Sequence, residues 1–103
     1  MLESKFKSNE REAFEKLGWK FVTLDPGGGV PTGFPDTLVL SPTGYACYTE
    51  WKRSKSANKR PLQKYWHQKL TEMGHDAFFV YPENINEWRE EVLQKGRYHV
   101  KTD

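Results

Sequence analysis

A chain of 103 residues with 36% apolar and 15% aromatic side chains makes one domain, whose small core must lean on Trp, Tyr and Phe. No stretch approaches the roughly 20 apolar residues of a membrane span, and Met1 runs into charge rather than an apolar leader, so a cytoplasmic protein without a membrane partner is expected. Cys47 is the only cysteine, which excludes an internal disulfide and a cysteine-based zinc cluster, and the net charge of +2 hides an uneven spread: residues 51–71 hold no acid but carry Lys52, Arg53, Lys55, Lys59, Arg60, Lys64 and Lys69.

In chain order, Phe6, Ala13, Phe14 and Leu17 recur at helical spacing and Gly18 comes next as a stop, which predicts a helix over 2–17 with Glu10 on or beside its apolar stripe. Residues 19–24, WKFVTL, have strand character. The next segment, DPGGGVPTGFP, is too rich in breakers for regular structure and lacks the Lys-Ser/Thr ending of a phosphate-cradling P-loop, so it reads as a flexible rim beside a cleft. Residues 36–40 and 45–52 read as two strands joined by SPTG into an antiparallel hairpin. After a polar, basic loop over 53–60, Pro61 opens a helix in which Leu62, Trp66, Leu70 and Met73 repeat until Gly74. The run AFFVY suits a central strand. Asn84 and Glu87 then resemble a capping pair for a last helix, with Ile85, Trp88 and Val92 on its apolar side and Gly96 as its end. The sum is a single α/β domain over residues 1–103, ordered α-β-β-β-α-β-α, a small mixed sheet with helices on both faces.

Within the hairpin, residues two apart share a face, so Glu50 and Lys52 project together while Thr49 and Trp51 point the other way. Folding the hairpin brings Asp36 to the same edge. Two carboxylates, joined by the Trp51 carbonyl, suit a hard divalent cation, which takes one or two carboxylates plus substrate phosphate. An ammonium beside them suits stabilisation of charge developing on that phosphate. A surface ion pair between Glu50 and Lys52 would produce the same pattern at little energetic value. The basic block over 52–69 suits a phosphate backbone or, equally, a solvated loop and helix face.

Gly33-Phe34-Pro35-Asp36, then Glu50-Trp51-Lys52, then the helical Gln63 resemble, in order and spacing, the motifs of the PD-(D/E)XK nuclease superfamily. The nearest branch is that of the virus-type replication-repair nucleases, VRR-NUC, and the resemblance runs over about residues 10–82. It implies a restriction-endonuclease-like fold of α/β/α layers and a Mg²⁺- or Mn²⁺-dependent endonuclease that hydrolyses DNA. Carried over by the resemblance, Asp36, Glu50, Lys52 and Gln63 are the catalytic set, with Asp36, Glu50 and Trp51 at the metal. Glu10 matches the acid that many relatives carry in the first helix, a role for which Glu3, Glu12 and Glu15 compete. The resemblance further implies a viral or phage protein working in the host cytoplasm as a homodimer, with branched or junction DNA among the substrates. Arg53, Lys55, Lys59, Arg60 and Lys64 are the cations expected on DNA phosphates. His67, one turn after Gln63 on the same face, is expected to be solvated. The alternative is a noncatalytic nucleic-acid-binding module of the same fold.

Overall fold

The computed structural model describes residues 3–25 and 28–98. Helix α1, Glu3–Glu15, is followed by strands β1, Lys20–Thr23, β2, Thr37–Leu40, and β3, Ala46–Trp51. Helix α2, Pro61–Glu72, then leads to strand β4, Ala77–Val80, and a 3-10 turn at Pro82–Asn84 runs into helix α3, Ile85–Tyr98. The sheet has the order β1-β2-β3-β4. Its first three strands are antiparallel and β4 joins β3 in parallel. The mixed α/β character and the element order expected from the sequence are present; Leu2, at the start of the expected first helix, lies outside the described residues.

Strand parity divides the sheet into two chemically different faces. Thr37, Val39, Cys47, Thr49 and Trp51 are buried on one of them. There the aromatic side chains of α1 and α3 close over the sheet: Phe6 meets Trp51 edge-on at 5.3 Å, Trp51 meets Trp88 at 5.4 Å, and Phe14 meets Trp88 at 5.3 Å. Such pairs add to area burial, which is how so small a chain fills its core. Helix α2 covers the opposite face, with His67 against Phe79 at 4.9 Å and Trp66 against Phe34, which packs in turn on Tyr48.

Several local expectations change in three dimensions. Ala13 and Leu17 are exposed, and the inward stripe of α1 is Phe6, Glu10 and Phe14. On α2 only Leu70 is buried, while Leu62 and Met73 are exposed, because this helix rides over a short sheet face that needs little of it. Strand β4 lies at an edge of the described sheet. Its apolar run reflects cover on both faces, where Lys95 lies over Phe78, and Lys59 and His67 lie over Phe79. His67 is therefore half-buried rather than solvated, and burial, reinforced by the Lys59 charge, lowers its pKa. Asn84 serves the 3-10 turn, accepting from the Tyr81 N–H at 2.9 Å and donating to the Phe79 carbonyl at 2.9 Å, and the last helix begins one residue later.

On the far side of the sheet from the hairpin opening, Asp76 Oδ2 accepts from the Tyr45 hydroxyl at 2.5 Å and from Lys95 Nζ at 2.8 Å. Burial drives the Asp76 carboxyl upward, but those two hydrogen bonds and the Lys95 charge outweigh it and hold the group below its usual value. This tie is thus in force at neutral pH and is lost as pH falls through the depressed folded-state value. Burial pushes the neighbouring Cys47 thiol up to about 12, which leaves it an inert core side chain.

Gly96, in the sequence a stop for the last helix, lies inside that helix. A Cβ at this position would meet the Trp19 ring at 2.5 and 2.7 Å. Trp19 is itself buried edge-on against Phe14 and Tyr45, so the ring cannot yield. Gly96→Ala is therefore expected to destabilise the fold: the roughly 1 kcal/mol of helix propensity gained is exceeded by an overpacking cost of about 1–3 kcal/mol. A thermal melt should show Tm lowered by roughly 4–8 °C per kcal/mol of net loss. An unchanged or raised Tm would mean that Trp19 has room to move.

Candidate active site

The hairpin register pairs Thr37 with Thr49, and one further step sets Asp36 opposite Glu50. Both lie on the α2 side of the sheet by parity, at the end where β2 begins and β3 finishes. They line a cleft of about 630 Å³ together with Gly33, Phe34, Leu62 and Gln63. Its walls are the glycine-rich segment and the first turn of α2. Gly33 is what lets them meet, since its φ of +86° suits glycine and a Cβ there would lie 2.5 Å from Leu62 Cβ and 2.7 Å from the Leu62 backbone.

Asp36 is held by three donors. Its Oδ2 accepts from the Trp51 backbone N–H at 3.2 Å, and its Oδ1 accepts from the Thr37 hydroxyl at 2.7 Å and from Lys7 Nζ at 3.4 Å. Gln63 organises the other half of the site. Its Oε1 accepts from Lys52 Nζ at 2.8 Å and from the Arg60 N–H at 3.0 Å, while its Nε2 faces Glu50 Oε2 at 3.5 Å. Two donors meeting the amide oxygen and one carboxylate meeting its nitrogen define which way the amide points. The bond to Arg60 also satisfies an N–H at the start of α2, so one side chain starts the helix and bridges Lys52 to Glu50.

Asp36, Glu50, Lys52 and Gln63, four residues singled out in the sequence, are thus gathered from the hairpin and from α2. Trp51 reaches Asp36 through its N–H, with its indole directed into the core and donating to Thr49 Oγ1 at 2.9 Å. Glu10 is not among the residues that line the cleft: it is buried, with Arg89 of α3 bound to both of its carboxylate oxygens at 3.2 and 2.5 Å. Among the described residues, no three His, Cys, Asp or Glu side chains form a metal-holding group.

Of the five expected phosphate-binding cations, one, Arg60, lines the cleft, and Lys64 is exposed on the next turn of α2. Arg53 and Lys55 are exposed in the loop after β3, which is tied down where the Lys55 N–H meets Glu83 at 3.0 Å. The Lys59 ammonium rests over the rings of Phe79 and Tyr81 at 5.3 and 5.6 Å. Lys7 is the contributor that sequence reasoning missed. It lies 29 positions before Asp36 on a separate helix, and no local pattern joins the two.

No protein-family model, curated protein or solved structure matches the chain.

Proposed function

We propose that the chain is a metal-dependent endonuclease that hydrolyses phosphodiester bonds in DNA, with Asp36, Glu50, Lys52 and Gln63 as its working residues. The observation that carries this reading is the convergence of two carboxylates and an amide on one cleft, with the amide joining the Lys52 ammonium to Glu50. The donor set fits a hard divalent cation: carboxylate oxygens, neither thiol nor imidazole among the residues named, and too few carboxylates for an all-protein cage. Mg²⁺ sites have that form, completed by waters and substrate phosphate. Such a cation, when bound, polarises the phosphate and lowers the pKa of an attacking water.

The chain's own residues account for the rest of the proposal. Asp36 and Glu50 hold the cation, and Asp36 is kept in orientation by the Trp51 N–H and the Thr37 hydroxyl. Lys52 supplies a positive charge for the phosphate as negative charge builds on it, and Gln63 keeps that ammonium aimed. The N-terminus of α2 opens on the same cleft through Arg60 and Leu62, an arrangement that favours an anion. Arg60, Lys64, Arg53 and Lys55 would track the flanking backbone. A restriction-endonuclease-like arrangement of the layers belongs to the same reading, supported by the packing of helices against both sheet faces.

The test is a set of labelled linear, flap and four-way junction DNAs incubated with Mg²⁺ or Mn²⁺. Cleavage that EDTA abolishes is expected. Binding without cleavage of any of these DNAs, under either metal, would instead identify a noncatalytic nucleic-acid-binding module.

A further inference from the structure

We propose that Lys7 is a built-in counterion of Asp36, an ammonium that reaches this carboxylate from α1 and competes with the divalent metal for it. The inference rests on the metal-site reading above and adds a residue that this reading does not use. Lys7 acts through Asp36 and is a positioning residue; its effect is on how much metal the site requires.

Three observations carry it. First, helix α1 cannot drift at this point. Phe6, one residue before, is buried edge-on against Trp51, and Glu10, three residues after, is held by Arg89 on both oxygens. Only the four-carbon stem of Lys7 is free to swing. Secondly, of the three donors on Asp36, two are neutral and built into the hairpin: the Trp51 N–H and the Thr37 hydroxyl. Lys7 is the charged one, and it is the one on a flexible stem. Thirdly, its contact is displaceable. At 3.4 Å it is longer than the roughly 2.7–2.9 Å of a tight charge-assisted hydrogen bond, and both side chains keep some exposure, 22% for Lys7 and 32% for Asp36.

A divalent cation needs an oxygen of Asp36, and an ammonium on that carboxylate repels the incoming charge and holds the oxygen. Metal binding on this proposal releases or weakens the Lys7 contact. Removing the ammonium should tighten metal binding, whereas losing a residue that supports a metal site weakens it.

The experiment is calorimetric titration of Mn²⁺ into the metal-stripped full chain without nucleic acid, on the parent and four variants. Lys7→Met, which keeps the stem and a good helix former but drops the charge, is expected to lower Kd about threefold to tenfold, the factor set by releasing a partly exposed ion pair. Lys7→Arg should stay near the parent. Lys5→Met removes the same charge from an exposed position on the same helix and should leave Kd within about twofold, which separates a local contact from net charge. Asp36→Asn should remove the binding. The rise in Tm produced by Mn²⁺ should rank the variants in the same order and reports on folding at once.

Equal Kd for parent and Lys7→Met, with binding that depends on Asp36, overturns the counterion and leaves the metal site standing. Equal tightening by Lys5→Met also overturns it. If no variant binds Mn²⁺ through Asp36, the proposal falls together with the metal-site reading.

Discussion

Asp36→Asn is expected to reduce metal-dependent cleavage by roughly a thousandfold or more while leaving the fold in place, because the several kcal/mol that a bound cation contributes to the transition state depends on this charge. The structure explains why the variant should still fold. An asparagine retains one oxygen for the Trp51 N–H at the Oδ2 position, and its amide nitrogen falls where Oδ1 meets the Thr37 hydroxyl. A hydroxyl can turn from donor to acceptor, so neither buried partner is stranded. The Lys7 ammonium, which would then face an amide nitrogen, can leave on its stem. A Tm within a few degrees of the parent, no Mn²⁺ binding and no cleavage at saturating metal is the expected combination. Normal cleavage with that Tm would count decisively against Asp36 as a ligand.

Lys52→Ala addresses the reacting charge rather than the metal. In the structure the ammonium donates to Gln63, a neutral amide that itself lines the cleft. If anchoring Gln63 were its whole task, the loss would be one hydrogen bond, about 1 kcal/mol of stability, and the Arg60 N–H would still hold the amide oxygen. As a charge acting on the phosphate it should be worth roughly a hundredfold or more in single-turnover cleavage with enzyme in excess, with DNA and Mn²⁺ binding nearly intact. Lys52→Arg should rescue poorly, since a planar guanidinium does not reproduce a compact ammonium. A Lys52→Ala rate within about threefold of the parent would remove this lysine from the chemistry.

Information carried by near neighbours in the sequence survives folding, and that is the part of this site that was legible. Alternation along the hairpin separated Glu50 and Lys52 from Thr49 and Trp51, and the short turn put Asp36 opposite Glu50. Gln63 was legible only by its place in the order of motifs, after Gly33–Asp36 and Glu50–Lys52. Pairings made by distant segments were not legible. Glu10 could be read as a metal acid or a solvated border residue, and the partner that claims it, Arg89, lies 79 positions away. Gly96 carried the stop signal of a C-terminal glycine, but the helix runs through it, and the glycine serves instead to leave room for the Trp19 ring. The AFFVY run signals that both faces of a strand are covered, which an edge strand under a helix and two lysine stems satisfies as well as a central one does. On α2, helical spacing identified the helix, whereas how much of it is covered depends on the width of the sheet below.

The Glu10–Arg89 clamp also has a kinetic consequence. It closes a loop of 79 residues, and the closure entropy of such a span has to be met before its contacts contribute. The β2–β3 hairpin can pair early, bringing Asp36 and Glu50 together from local contacts, whereas the clamp forms only where α1 and α3 have both docked over Trp51. The acidic pair thus depends on neighbouring strands alone, whereas the clamp that fixes the helix bearing Lys7 needs both ends of the domain.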